Sequence, residues 1–118
     1  MKTFAVCAVA AATLGLSTLQ ASAYERWFNL VNDSNDPIVS VRITNVHDEY
    51  FHGPNLLGNQ PVGPGDNVRL EPVKHQGYCR FDVEILYRNG EEQNIWNVNL
   101  CEATRLVMYG NGTRPVVA

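Results

Sequence analysis

Few side chains in this sequence are of types that could do covalent chemistry, and each has a simpler structural role. Cys79 and Cys101 are the only cysteines outside the apolar N-terminal segment. In an exported domain an even number of cysteines indicates a disulfide, so neither sulfur would serve as a thiolate nucleophile. Ser34 and Ser40 lack the Gly-x-Ser-x-Gly sequence that positions a nucleophilic serine.

The other candidate chemistry is acid–base. Asp82 and Glu84 are two residues apart on one face of a predicted strand, the spacing of a paired-carboxylate site. Two acidic side chains on a solvated strand face are common without any catalytic role, because charged residues mostly remain at the surface. We therefore predict that the protein is not an enzyme and needs no cofactor.

A metal site is the alternative that the histidines suggest. His47, Asp48 and His52 lie within one short segment, and all three can ligate zinc or copper. Their spacing matches no standard motif, and a site requires ligands that converge on one point. We keep a metal-handling protein that uses these three residues as the second hypothesis.

The turn-rich segment 51–66 raises a different question. It contains "FHGPNLLGNQPVGPGD", in which glycine and proline predict turns, and no basic residue or helix start follows that would form a phosphate cradle. Residues 63–66 predict a tight turn, and Leu56 and Leu57 are expected to close one end of the core. If the protein has a contact surface, we expect it beside this loop, at Tyr50, Phe51, His52 and Asn55.

The first residues predict export. Lys2 precedes a short apolar run, and Ala-Ser-Ala at 21–23 fits a signal-peptidase site. We therefore divide the chain into a signal peptide, 1–23, and one domain, 24–118, that is secreted or periplasmic and has no membrane span after cleavage. The net charge of −3 argues against nucleic acid as a partner. An unknown protein or small molecule of the cell envelope is the expected partner.

The remaining chain alternates apolar and polar residues in short runs. This pattern is clear in segments 37–45, 67–73, 79–87 and 95–100, and turn residues separate the runs. Alternation with a period of two predicts half-buried strands in antiparallel sheets. We predict an all-β fold, a small antiparallel Ig-like β-sandwich of six to seven short strands with one disulfide.

Asn89-Gly90 predicts a hairpin between two of these strands, because both residues tolerate positive φ. A two-residue loop would place Val83 opposite Trp96, with both side chains in the core. It would also put Cys101 on the polar face, away from Cys79. We therefore expect a bulge near residues 99–101, or a strand that ends at residue 100, to bring the two sulfur atoms together.

Several segments resemble a group of small exported bacterial β-domain proteins of unknown function. The resemblance lies in "GPNLLG", "CRFDVEILYRNG" and "NVNLC", which are similar to that group's Gly-x-Asn-Leu-Leu loop, Cys-x-Phe-Asp strand and Asn-Leu-Cys ending. Where many of those proteins have tryptophan before the glycine of the loop, this chain has His52. The resemblance implies a small disulfide-linked β-domain and no activity. The sequence thus predicts a non-enzymatic module with a binding or structural role.

Overall fold

The fold consists of two β-sheets with short connecting loops. The computed structural model describes residues 25–47, 53–73 and 77–118, so the predicted signal peptide lies outside the described residues. The seven strands are β1 Phe28–Asn32, β2 Ile38–Asn45, β3 Asn67–Leu70, β4 Arg80–Tyr87, β5 Glu92–Asn99, β6 Arg105–Met108 and β7 Val116–Val117. One sheet has the order β3-β1-β6-β7, and the other has the order β2-β4-β5. The predicted all-β fold of six to seven strands with one disulfide is confirmed.

The core lies between the inward faces of the two sheets, as the alternation predicts. In β4 the side chains of Phe81, Val83 and Ile85 are almost fully buried, and the residues between them are half-buried. Phe28 and Leu30 of β1 occupy the same core from the other sheet. Burying a large apolar side chain contributes about 1.5–3 kcal/mol, so this layer dominates the stability of a domain of this size.

One strand pair departs from the prediction of antiparallel sheets. β1 pairs with β6 in parallel, with Leu30 opposite Leu106 and Val31 opposite Val107. A parallel pair needs a long crossover connection, and here most of the chain separates the two strands. Local alternation contains no information on strand direction, so this pairing could not be derived from the sequence.

The inward face of β2 also differs from the prediction. The alternation in segment 37–45 predicts Val39, Val41 and Ile43 on one inward face, but Val39 is only half-buried, and Ile38 is completely buried in its place. The pairing with β4 shifts register between Ile38 and Ser40, which marks a bulge. Because one extra residue enters the strand, the inward positions change from even numbers (Ile38) to odd numbers (Val41 and Ile43) at that point.

The turn-rich loop covers the free edge of β2. The side-chain amide of Asn55 pairs with the β2 backbone as a neighbouring strand would. Its Oδ1 accepts from the Val41 N–H at 3.0 Å, and its Nδ2 donates to the Val39 carbonyl at 3.0 Å. The Leu56 N–H donates to the Val41 carbonyl at 2.9 Å. Leu57 is buried in the core, and Leu56 packs against it, as predicted. The loop therefore satisfies edge groups that would otherwise be open to other chains.

Residues 63–66 form the predicted tight turn before β3. The Asp66 N–H donates to the Gly63 carbonyl at 3.0 Å, and Gly65 has φ of +84°, which favours glycine. The Gly65 N–H donates to the Asn32 carbonyl at 2.7 Å, which fixes the turn against the end of β1. In its described part the loop is a structural connection.

The predicted hairpin between β4 and β5 forms, but its loop has three residues instead of two. The Gly90 N–H donates to the Tyr87 carbonyl at 3.0 Å, the Tyr87 N–H donates to the Glu91 carbonyl at 2.9 Å, and Gly90 has φ of +93°. These bonds are typical of a turn followed by a left-handed residue. Val83 consequently lies opposite Ile95, one residue away from the predicted partner Trp96.

The predicted core position of Trp96 is wrong, because the extra residue in the hairpin loop turns Trp96 outward and a bulge follows it earlier in β5 than expected. The register shifts between the Phe81 and Val83 pairings, and Asn97 has φ of +59°. The Asn97 N–H donates to a carboxylate oxygen of Asp82 at 2.8 Å, which holds the bulge. Trp96 is 61% exposed as a result, while Val98 returns to the core.

This arrangement predicts a small effect for a large substitution. Changing Trp96 to glutamine should alter the free energy of unfolding by less than about 1 kcal/mol, as is usual at the surface. Leu100→Ala is the matched control, because Leu100 is 2% exposed and its truncation should cost about 2–5 kcal/mol. Chemical denaturation of both variants checks this; a loss for the Trp96 variant as large as for the control would contradict the exposed position.

The disulfide forms where the chain leaves β5. Cys79 and Cys101 are joined, with 5.1 Å between their Cα atoms. The Leu100 N–H donates to the Cys79 carbonyl at 2.8 Å, and a turn begins immediately after Asn99. Of the two expected solutions, the strand end brings the sulfur atoms together, and the bulge lies elsewhere.

Candidate functional site

Three loops converge at the end of the sandwich opposite the disulfide. They are residues 33–37 between β1 and β2, residues 88–91 between β4 and β5, and residues 109–115 between β6 and β7. Between them lies an open polar cleft of about 240 Å³. We call it the three-loop cleft; it is lined by Ser34, Asn35, Asp36, Tyr87, Asn89, Glu91, Gly110 and Asn111.

Hydrogen bonds between the loops fix the carboxylates of the cleft. Asp36 accepts from the Asn89 N–H at 2.9 Å, which joins the first loop to the second. Glu91 accepts from the backbone N–H groups of Asn111 at 3.1 Å and Gly112 at 2.8 Å, which joins the second loop to the third. The loops are therefore held in position before any ligand binds, which reduces the entropic cost of binding.

Gly110 allows the third loop to approach the first. It has φ of +70°, and a Cβ atom added there would lie 2.8 Å from the Cβ of Ser34. Any other residue at this position would both strain the backbone and separate the two loops. The width of the three-loop cleft thus depends on a residue without a side chain.

The cleft is negatively charged, and Tyr87 at its base reports this. Burial, together with the nearby carboxylates of Glu91 and Asp36, raises the pKa of the Tyr87 hydroxyl to about 12, although a hydrogen bond with the Gly110 backbone acts in the opposite direction. The hydroxyl also lies 3.4 Å from the side-chain oxygen of Gln93. At neutral pH the phenol is protonated and can donate a hydrogen bond.

The pKa of Tyr87 predicts how stability depends on alkaline pH. The folded state holds this proton more tightly than the unfolded chain, whose tyrosines ionise near their ordinary pKa of about 10. The contribution of the Tyr87 hydroxyl to the free energy of unfolding is thus fully present below about pH 10. It is lost as the pH rises toward about 12. Denaturant midpoints at about pH 9 and about pH 11 should fall less for Tyr87→Phe than for the parent protein.

Tyr78→Phe is the control for this measurement, because Tyr78 is 41% exposed. This variant should lose stability between the two pH values as the parent does. An identical loss for the Tyr87 variant would contradict the burial and charge that raise the pKa of Tyr87.

Of the sequence-predicted contact surface, Asn55 alone lies among the described residues. Tyr50, Phe51 and His52 lie outside the described residues, so their role stays a prediction. The amide of Asn55 is engaged with the backbone of β2 and helps to close the sheet edge. The structure therefore gives Asn55 a structural role in positioning this loop.

The metal hypothesis also stays a prediction. Within the described residues no three metal-ligating side chains come together, and Asp48 and His52 lie outside them. His47 is exposed, and its ring lies 4.9 Å from the ring of Tyr78. Calorimetric titration with zinc and copper, repeated with His47→Ala and His52→Ala, tests this alternative.

Sequence reasoning missed the three-loop cleft. Asp36, Asn89 and Asn111 occur in turns rich in Asn, Asp and Gly, and turn formation alone explains those residue types. The strand order could have revealed the cleft. The loops after β1, before β5 and after β6 must meet if β1 and β6 end, and β5 begins, at the same end of the sandwich. That conclusion requires the sheet topology, which alternation does not provide.

Comparison of the chain with protein-family models, with curated proteins and with solved structures finds no match. No helix that could cross a bilayer occurs in the part of the chain that the structure describes.

Proposed function

We propose that this chain is an exported, non-enzymatic β-sandwich that binds a small polar ligand, or a polar side chain of an envelope partner, in the three-loop cleft. The observation that carries the proposal is the cleft itself. It is concave, its walls come from three different loops, its base is Tyr87 of β4, and its lining presents carboxylates, amides and a phenol. Loops at the end of a rigid sandwich are the usual place for recognition.

The lining supports specific recognition over loose contact. Two carboxylates are fixed by backbone N–H donors from neighbouring loops, so their remaining lone pairs point in defined directions. The hydroxyl of Tyr87 stays protonated at neutral pH and donates to the side-chain oxygen of Gln93 at 3.4 Å. Several acceptors in one recess allow a ligand to make multiple directed hydrogen bonds.

The proposal of a binding role is also supported by how the reactive side chains are used. The two cysteines form the disulfide. Asp82 accepts a hydrogen bond from the backbone of the β5 bulge, and Ser34 is part of the turn network around Asn32. These groups stabilise turns and bulges, so the described residues offer a stronger case for binding than for catalysis.

Export is supported by the crosslink. A disulfide in a small domain is typical of proteins that function outside the reducing cytosol, and Cys79–Cys101 closes the end of the sandwich that is opposite the cleft. A secreted or periplasmic location fits this bond and the predicted signal peptide, residues 1–23.

Nuclear magnetic resonance titration of the processed protein tests the function. Probes are three amino acids (arginine, glutamate and glutamine), glucose and spermidine, which differ in charge at modest size. At least one probe should shift the backbone amide signals of Asn89, Glu91, Asn111 and Gly112 in a saturable manner. Asp36→Asn, which keeps an oxygen for the Asn89 N–H but removes the charge, should change the affinity.

Asp33→Asn is the matched control, because Asp33 is exposed in the same loop and does not line the cleft. It should leave the titration unchanged. Saturable binding whose shifts occur instead near Gly53 and Leu56, and that Phe51→Ala abolishes, would move the site to the predicted contact surface. Such a result would refute binding in the cleft.

A further inference from the structure

The outward face of the four-stranded sheet carries two arginines in one row. Arg69 of β3 and Arg105 of β6 both pair with Asn29 of β1, which lies between them. Phe28 and Leu30 on either side of Asn29 are buried in the core, so Asn29 and its two partners lie on the outward side of the sheet. Two strand spacings separate the arginines, which is roughly 10 Å.

Both guanidinium groups are available to a partner. Arg69 and Arg105 are exposed, and no carboxylate of the described residues forms an ion pair with either of them. Arg69 lies over the ring of Trp27 at 4.3 Å, which restricts its motion. The indole N–H of Trp27 donates to Glu25 at 2.7 Å, so the aromatic support is itself held in place. A restrained guanidinium loses less entropy when it pairs with a carboxylate.

An apolar row lies next to the arginine row on the same face. Val31 pairs with Val107, and Val107 pairs with Val116. Val107 is buried, Val31 is half-buried, and Val116 is 47% exposed. The face therefore combines positive charge with apolar contact area. We call it the arginine–valine face, defined by Arg69, Arg105, Val31, Val107 and Val116.

We propose that the arginine–valine face docks an acidic, partly apolar peptide segment of a partner protein. Carboxylates of that segment would pair with Arg69 and Arg105, and its apolar side chains would cover Val116. The charges are complementary, because guanidinium groups match carboxylates in geometry, and the neighbouring valines favour a partner that also buries apolar surface. This inference is independent of the three-loop cleft.

Other anionic partners fit the face less well. Nucleic acid binding requires many phosphate contacts and a basic domain, whereas this chain has a net charge of −3. Attachment to anionic lipid gains about 1 kcal/mol for each basic residue near the surface, so two arginines would hold the protein only weakly. A peptide can use both the charges and the apolar row.

Fluorescence anisotropy with a labelled decapeptide of alternating Glu and Val tests the proposal, after sedimentation shows that the probe is monomeric. The parent protein should bind it, and the same peptide with Gln for Glu should bind at least several-fold more weakly. Arg69→Gln combined with Arg105→Gln should weaken binding roughly tenfold, which corresponds to two exposed ion pairs of moderate strength. Added salt should also weaken binding.

Arg42→Gln combined with Arg80→Gln is the matched control. It removes the same charge from the other sheet, where both residues are exposed, and it should change affinity less than about twofold. Equal weakening by the two double variants would overturn the proposal, since net charge would then explain it. Binding of polygalacturonate or phosphatidylglycerol vesicles that is lost in the Arg69 and Arg105 double variant, with no binding of the peptide, would overturn the proposed class of partner. Circular dichroism melting confirms that each variant is folded.

Discussion

Replacing Asn32 by alanine is expected to lower the free energy of unfolding by about 3 kcal/mol. Asn32 is fully buried at the end of β1. Its Nδ2 donates to the carbonyls of Asp36 at 2.9 Å and Val62 at 2.8 Å, and its Oδ1 accepts from the Ser34 N–H at 3.0 Å. Each lost bond costs about 1 kcal/mol, and groups left without a partner in the interior cost more.

Asn29→Ala is the control, because Asn29 is in the same strand but faces outward. Its effect should be within about 0.5 kcal/mol. Urea denaturation of both variants gives the comparison. Equal stabilities for the two variants would show that the Asn32 network does not hold the first loop. The amide signals of Ser34 and Asp36 should also shift in the Asn32 variant, since the first wall of the three-loop cleft depends on this side chain.

Removing the disulfide is expected to have an effect of similar size. With a separation of 22 residues between Cys79 and Cys101, the chain-entropy model gives a stabilisation of about 3 kcal/mol. For a domain of this size, that corresponds to a fall of roughly 15 °C in the melting temperature. Differential scanning calorimetry of the protein with both cysteines changed to alanine measures the change.

Two controls separate the crosslink from the side chains. The parent protein treated with dithiothreitol should melt near the double variant, because both lack the bond. The variant with only Cys79 changed should melt with them. A melting temperature for the double variant that equals that of the oxidised parent would contradict the stabilising role of the bond. Nuclear magnetic resonance titration at the three-loop cleft should be largely preserved in the variant, since the bond lies at the opposite end.

Alternation correctly predicted the inward side chains of β4. Phe81, Val83 and Ile85 are in the core, because a strand between two layers has only two faces and the apolar one is buried. The same rule failed for Trp96, because the extra residue in the hairpin loop turns it outward and the bulge after it returns Val98 to the core. The hydrogen bond from Asn97 to Asp82 that holds this bulge is tertiary, so no local pattern reveals it.

The residue types in the turns also predicted where the turns lie better than which residues the turns pair or contact. Asn89-Gly90 indicated the hairpin, since Gly90 supplies the positive φ, but the three-residue loop changed the register by one residue. The tight turn at residues 63–66 and the packing of Leu56 and Leu57 against the core were correctly predicted. That Asn55 would bind the edge of β2 depends on how far the chain returns across the sheet, which residue types do not specify.

By itself, the sequence determined the all-β class, the strand-forming segments, the pairing of Cys79 with Cys101 and the position of most core residues, because these follow from side-chain periodicity and from the chemistry of turns and thiols. Only the tertiary structure decided the parallel pairing of β1 with β6, the exposure of Trp96, the three-loop cleft and the arginine–valine face. These features bring together residues far apart in the chain, and contacts of that kind are set by the packing of whole sheets.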